Sequence, residues 1–219
     1  QVSSLTTDQL ISLKTAQLTV LSTSQLAALS TDQISQLTTS QINSLTTLQV
    51  ANLLTNALQS ITTVQLATMT SAQVAAMTTA QVVALTSDQV SSLKTSQISA
   101  LTTAQVIAME TDDLVSVTTA QLMAMTSAQV AAMTTDQVLS LTTDQASSLK
   151  TAQVAAMTTA QVVALTTGQV SNLTTAQLAA MTTRQVAAME TDDLVSVTTA
   201  QLVAMTTAQV AAMTTDQVL

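Results

Sequence analysis

The 219-residue chain has no Phe, Tyr, Trp, Pro or Cys, a single Gly and a net charge of -8. Globular domains use aromatic residues in their cores and Gly and Pro in their turns, so this composition excludes a conventional globular domain. Disordered segments combine low hydrophobicity with high charge, whereas this chain is 47% hydrophobic and only 7% charged. The acidic balance disfavours nucleic acid as a partner, and the short apolar runs predict no transmembrane segment.

From Leu5 onward the sequence repeats every eight residues without insertion or deletion. The consensus of this octad is LTTxQVxA, and 27 units fit the register, the last of them incomplete. Residues 1–219 are therefore predicted to form a single continuous array, a fragment of a longer chain. Residues 77–139 resemble residues 157–219, which indicates duplication of a block of 80 residues. An unbroken register over many copies is typical of solenoids.

Each octad carries the signals of a helix start. Thr at position 2 and Gln at position 5 match the capping box, in which each side chain bonds the backbone N–H of the other residue. Leu or Met at position 1 and Val, Leu or Ile at position 6 match the hydrophobic staple. Several octads have Asp at position 4, in the first turn, where the helix dipole favours an acid. We therefore expect one helix of about one and a half turns per octad, beginning at the threonine pair.

These signals predict an all-α fold, a solenoid of very short helices with an aliphatic centre and threonine outside. A continuous helix would rotate its apolar stripe by about 80° per octad and bury no single face. A β-solenoid with a bend in each octad remains the alternative. Intervals of three octads recur between position-4 Asp residues, which hints at three octads per coil, and the block duplication supplies part of this signal.

Two kinds of octad depart from the consensus along the chain. Residues 53–60, LLTNALQS, lack the Thr-x-x-Gln box, and we expect a local defect of the coil there. The segment METDDLVSV occurs at Met109 and again at Met189 and contains the only charge clusters. Its carboxylates are candidate Ca²⁺ ligands, and the alternative is a charged first turn stabilised by the helix dipole. The candidate cation-binding residues are Glu110, Asp112, Asp113, Glu190, Asp192 and Asp193.

Nothing in the repeat indicates catalysis or a cofactor. A nucleophilic serine needs a base, and the chain has no His. Ser92 with Lys94 is a possible pair on paper, but the repeat implies no convergent pocket around it. The chain is therefore predicted not to be an enzyme. Most Met residues stand where Leu stands in other octads, so they are interpreted as packing residues.

The octads at 101–108 and 173–180 resemble the LTTxQVAAL-type octapeptide repeats of long bacterial surface and secreted proteins, often labelled adhesin-like. This resemblance covers essentially the whole chain and implies no catalytic residues. It implies a structural element of an extracellular or cell-surface filament, stalk or surface layer. The expected partner is a second copy or a continuation of the same array. The alternative function is an adhesive, ice-binding or ligand-binding scaffold that uses the threonine-rich face.

Overall fold

A computed structural model describes residues 2–218, and their regular structure is entirely helical. A short 3-10 helix, η1 (Val2–Ser4), precedes 27 short α-helices, one in each octad. No strand occurs within this described range. The prediction of an all-α solenoid of one helix per octad is confirmed, and the β-solenoid alternative is wrong.

The chain forms two compact units, Gln1–Ser116 and Val117–Leu219. The helices of the first unit are α1 Thr7–Ile11, α2 Thr15–Thr19, α3 Thr23–Ala27, α4 Thr31–Ser35, α5 Thr39–Ser44, α6 Thr47–Ala51, α7 Thr55–Ser60, α8 Thr63–Thr68, α9 Ser71–Ala75, α10 Thr79–Val83, α11 Ser87–Ser92, α12 Thr95–Ile98, α13 Thr103–Ala108 and α14 Thr111–Ser116. The helices of the second unit are α15 Thr119–Ala124, α16 Ser127–Ala132, α17 Thr135–Ser140, α18 Thr143–Ser148, α19 Thr151–Ala156, α20 Thr159–Val163, α21 Thr167–Asn172, α22 Thr175–Ala180, α23 Thr183–Ala188, α24 Thr191–Val195, α25 Thr199–Ala204, α26 Thr207–Ala211 and α27 Thr215–Val218.

Extended residues connect successive helices. Helix α5 is N-capped by Thr38, with φ -68° and ψ 157°, and it ends at Leu45, with φ -57° and ψ 137°. Thr46 follows in the same extended conformation and caps α6. Within residues 2–218 no residue has a positive φ. Because no junction needs the left-handed region, the chain turns without the glycines that such conformations favour.

Within each unit, every helix packs on the helix three octads away. In the first unit α2 packs on α5, α5 on α8 and α8 on α11. In the second unit α16 packs on α19 and α19 on α22. One turn of the coil therefore comprises three octads, as the Asp spacing hinted. Asp88 and Asp112, for example, lie on the stacked helices α11 and α14.

The interior of each unit is filled from positions 1 and 6 of the octad. At position 6, Leu66 and Leu178 are fully buried. At position 1, Met77 and Met157 are 4% and 5% exposed and occupy the same layer as the leucines of other octads, such as Leu149. This confirms that most Met residues pack the core. Position 2 is exposed, as expected for threonine outside the aliphatic centre.

The octad without the Thr-x-x-Gln box still folds as helix α7. Its N-cap residue, Leu54, makes no side-chain hydrogen bond to the helix, and Ala57 fills the buried place of the usual Gln. Helix α7 nevertheless packs on α4 and α10. The expected defect is therefore confined to side-chain hydrogen bonds.

Across residues 2–218, none of the helices has the length and apolar character that a bilayer-spanning segment needs.

Leu66 and Val64, two residues apart in α8, test which face supports the fold. Leu66 is 0% exposed and Val64 is 66% exposed. Leu66→Ala is expected to lower the free energy of unfolding by roughly 2–5 kcal/mol, because it opens a cavity in the interior. The matched control Val64→Ala should change it by less than about 0.5 kcal/mol. Denaturant unfolding followed by circular dichroism measures both, and equal effects would contradict the assigned core.

Candidate functional site

The Gln at position 5 forms two sets of hydrogen bonds at once. In α5, Gln41 Oε1 accepts the backbone N–H of Thr38 at 2.9 Å, and the Thr38 hydroxyl accepts the N–H of Gln41 at 3.2 Å. This is the predicted capping box. Gln41 Nε2 donates in addition to the carbonyls of Leu10 and Leu13, at 3.0 and 2.9 Å. Those carbonyls belong to the preceding turn of the coil, so one side chain caps its own helix and bonds the turn beneath it.

The same bonds recur at constant sequence separation. Gln105 Nε2 lies 3.1 Å from the Val74 carbonyl and 2.7 Å from the Met77 carbonyl, 31 and 28 residues earlier. In the second unit, Gln185 Nε2 lies 2.8 Å from the carbonyls 31 and 28 residues earlier. We call this series of position-5 side chains the glutamine ladder. Most members with bonds to an earlier turn are buried, as Gln105 and Gln185 are, both 1% exposed.

The ladder answers a need created by the very short helices. The first four N–H groups and the last four carbonyls of any α-helix have no partner within the helix. A helix of six residues such as α13 therefore satisfies few of its own backbone groups. Gln105 Oε1 accepts the Thr102 N–H at the start of α13, and its Nε2 reaches carbonyls at the end of α9 and just beyond it. Unpaired buried backbone groups would be costly, so these bonds are required for the coil.

Lysine at position 2 leaves the ladder intact. The Lys side chain has donors and no acceptor, so it cannot accept the hydrogen bond that the Thr hydroxyl accepts from a backbone N–H in a capping box. The Lys94 N–H still donates to Gln97 Oε1 at 2.7 Å, and the Gln97 N–H bonds the Lys94 carbonyl at 2.9 Å. Gln97 Nε2 bonds the carbonyls of Leu66 and Met69 at 2.9 and 2.8 Å. The Gln half of the box is thus retained where Lys replaces Thr.

The two acidic octads place an Asp where the ladder has Gln. Asp113 is 6% exposed, and its Oδ1 accepts the Ser87 hydroxyl of the preceding turn at 2.8 Å. Asp193 is 3% exposed, and its Oδ1 accepts the Thr167 hydroxyl at 2.9 Å. A carboxylate has no N–H for backbone carbonyls. In these two octads the earlier turn donates, through a position-3 hydroxyl, and the carboxylate of the later turn accepts. In the ladder the later turn donates and the earlier turn accepts.

The other carboxylates of these octads point to solvent. The exposed residues are Glu110, Asp112, Glu190 and Asp192, whereas Asp113 and Asp193 are buried. Over residues 2–218, no three acidic side chains come together in a group that could hold a metal ion. Binding of Ca²⁺ at these six residues therefore stays a prediction, and so does the alternative of a charged first turn.

The Thr and Ser hydroxyls considered in the sequence analysis as binding or nucleophilic groups are largely hydrogen-bonded to the backbone. Thr102 Oγ1 accepts the Gln105 N–H at 3.2 Å, as position-2 threonines do in most octads. Ser92, the candidate nucleophile, donates its hydroxyl to the Gln89 carbonyl at 2.7 Å. Lys94 is exposed at the N-cap of the next helix. Threonines at position 3 are half-buried or exposed, and ligand binding by that face stays a prediction.

Sequence reasoning identified the capping half of the Gln role and missed the bonds between turns. The box accepts Glu as readily as Gln. Yet the chain has Gln at position 5 in nearly every octad and Glu in none of them. Only the amide provides an acceptor and a donor together. This choice of Gln over Glu is the signal that could have revealed the ladder.

Replacing Gln by Glu at one buried and one exposed position of the glutamine ladder distinguishes the stability due to capping from the stability due to the bonds between turns. Gln105→Glu keeps the acceptor for Thr102 and places a carboxylate against the carbonyls of Val74 and Met77. It is expected to lower the free energy of unfolding by at least about 2 kcal/mol, because a buried charged group loses its partners. Denaturant unfolding followed by circular dichroism measures the change.

The control is Gln25→Glu, at an exposed rung. Gln25 makes the same capping bonds with Ser22, at 2.8 and 3.2 Å, and among residues 2–218 its exposed side chain makes no hydrogen bond to another turn. Its replacement should change the free energy of unfolding by less than about 0.5 kcal/mol. Equal losses at the two positions would show that capping alone accounts for the effect.

Comparison with known families gives the same repeat. The family model described as ALTTAQ repeat matches residues 2–39, 58–95, 75–103, 106–143, 143–175 and 186–219. A comparison with curated proteins finds no match. The predicted LTTxQ-type resemblance is confirmed by the family match. Because the matched segments cover most of the chain and contain the octads that form the glutamine ladder, the chain belongs to the ALTTAQ repeat family.

Proposed function

We propose that this chain is a non-catalytic structural array in an extracellular filament, stalk or surface layer of a bacterium. The observation that carries the proposal is the glutamine ladder, which uses the most regular polar side chain of the octad to join successive turns. In the second unit, for example, Gln177 bonds the carbonyls of Ala146 and Leu149 at 3.0 and 2.7 Å. A side chain committed to the backbone in this way is removed from substrate or ligand chemistry.

The polar groups outside the ladder support a structural role as well. Serine hydroxyls at position 8 cap the ends of their own helices, as Ser140 does by donating to the Gln137 carbonyl at 2.9 Å. The chain has no His and no Cys, the residues most often used as bases, nucleophiles or thiolate ligands. We therefore propose that it acts without a resident cofactor.

An extracellular location is proposed on composition and on the form of the array. A cysteine-free chain folds alike in oxidising and reducing surroundings, since it neither needs nor forms disulfides. In repeat proteins each repeat contacts its neighbours, so length grows by adding repeats without redesign of the fold. That property suits a spacer or fibre at a cell surface.

Immunogold labelling of the source cells tests the proposal. Antibodies raised against the purified 219-residue chain should label intact cells along a surface layer or appendage. A cytoplasmic antigen, labelled only after permeabilisation, is the control for cell integrity. Deleting the repeat-coding segment should remove or shorten the labelled structure. Labelling confined to permeabilised cells would overturn the extracellular assignment.

A further inference from the structure

The amide nitrogen of a ladder Gln lies among several backbone carbonyls of the earlier turn. Gln105 Nε2 is 3.1 Å from the Val74 carbonyl oxygen and 2.7 Å from the Met77 carbonyl oxygen. The Ala75 carbonyl oxygen completes the set at 3.4 Å. Three oxygens therefore converge on one nitrogen, and we call such a set a carbonyl cage. In most octads the Gln amide supplies the hydrogen atoms that the cage accepts.

The backbone forms an equivalent cage at the end of the next helix, α10. Ala84, which follows α10, has φ -80° and ψ -8°, and Ala76, which follows α9, has φ -82° and ψ -10°. The two turns therefore end in the same conformation. By this equivalence, the oxygens of the second cage are the carbonyls of Val82, Val83 and Leu85.

The second cage has a carboxylate where the first has an amide. Asp113 follows Leu85 by 28 residues and Val82 by 31, which are the separations of the glutamine ladder, and it is 6% exposed. Its Oδ1 accepts the Ser87 hydroxyl at 2.8 Å, immediately beside the cage. Among residues 2–218, no hydrogen-bond donor reaches its Oδ2 or the carbonyls of Val83 and Leu85. The cage thus brings together oxygen acceptors and a negative charge.

The second unit contains the same arrangement. Ala164, which follows α20, has φ -80° and ψ -9°. Asp193 takes the ladder position, is 3% exposed and accepts the Thr167 hydroxyl at 2.9 Å. Within the described range, the carbonyls of Val163 and Leu165 accept no hydrogen bond. The combination of cage and buried carboxylate therefore occurs once in each unit.

We propose that each of these two cages binds a monovalent cation of the size of K⁺ between the backbone carbonyls and the buried carboxylate. A buried charge in a protein is normally paired with an opposite charge or coordinates a metal ion. Neither cage has a Lys or Arg in the segments that form it, residues 82–87 with 110–116 and residues 162–167 with 190–196. A water molecule has two donors for these acceptors and leaves the charge in place, whereas a cation satisfies the oxygens and neutralises the carboxylate.

The dimensions of the cage favour a large ion. Oxygens lie 2.7–3.4 Å from the nitrogen of Gln105 and 2.7–3.1 Å from that of Gln73. Calcium takes oxygen ligands at about 2.3–2.6 Å and magnesium at about 2.0–2.1 Å, so both need a tighter site. Backbone carbonyls can replace the hydration shell of K⁺. The ion would be structural, and the exposed Glu110 and Asp112 take no part in binding it.

Thermal unfolding of the whole chain, followed by circular dichroism, tests for the ion. The midpoint in KCl is expected to exceed that in choline chloride of the same ionic strength by roughly 2–4 °C, because an ion that binds only the folded state stabilises it. Choline controls for the screening of the net charge of -8, which both salts provide equally. The same midpoint in the two salts, or a rise with CaCl₂ and none with KCl, overturns the proposal.

Substitutions at the buried carboxylates test the site itself. Asp113→Asn with Asp193→Asn removes the charge and should abolish the difference between the two salts. Asp113→Gln with Asp193→Gln restores the amide of the ladder, so it should abolish the difference while raising the midpoint in choline chloride. The matched control is Asp112→Asn with Asp192→Asn, at exposed neighbours, which should retain the difference of the parent chain. A difference that survives in the Asn and Gln variants of the buried positions overturns the proposal.

Crystals grown in RbCl locate the ion directly, because Rb⁺ replaces K⁺ chemically and scatters anomalously. One anomalous peak is expected between Asp113 and the Leu85 carbonyl, and another between Asp193 and the Leu165 carbonyl. Crystals of the Asn variant should lack both peaks. Density at these places without anomalous signal would identify water and overturn the proposal. None of these measurements depends on where the protein is located in the cell, so they are independent of the proposed function.

Discussion

One side chain, the Gln at position 5, meets the backbone requirements of two helices. Helices of four to six residues leave most of their N–H and carbonyl groups without an internal partner. Isolated helices of this length are marginal in water. Gln49 shows the solution, because Oε1 accepts the Thr46 N–H at 2.8 Å while Nε2 donates to the carbonyls of Leu18 and Leu21, both at 2.9 Å. Each helix is therefore stable only as part of the coil.

The remaining features of the octad follow from this bond. Position 6 must be aliphatic because it lies beside the Gln in the interior, as Val50 does beside Gln49. Position 1 must leave the helix in an extended conformation so that the next cap can form, as Leu45 does before Thr46. Position 4 is exposed and position 7 is half-buried or exposed, and both vary among Ala, Ser and larger residues. A coil built this way tolerates an Ala57 or an Asp113 at single turns, because neighbouring rungs still join the stack.

The sequence predicted the local structure well because its signals act over three or four residues. The capping box and staple gave one helix per octad, and Thr102 with Gln105 forms the bonds that the pattern predicts. The spacing of Asp residues such as Asp88 and Asp112 hinted at three octads per turn, which the stacking of α11 on α14 confirms. The bonds between turns connect residues 28 and 31 positions apart, as in Gln105 with Met77 and Val74, and no local motif encodes that separation. The burial of Asp113 beside Ser87 depends on the same stacking and was missed for the same reason.

Exchange of the Gln side-chain amide protons, followed by NMR in D₂O, tests the ladder most directly. A buried amide that donates to two carbonyls exchanges only when the coil opens, whereas an exposed amide exchanges freely. We predict slow exchange for Gln81, Gln105 and Gln185, and fast exchange for the exposed Gln9, Gln17 and Gln25 at concentrations where the chain is monomeric. Equally fast exchange in both groups would contradict the claim that the glutamine ladder joins the turns of the coil.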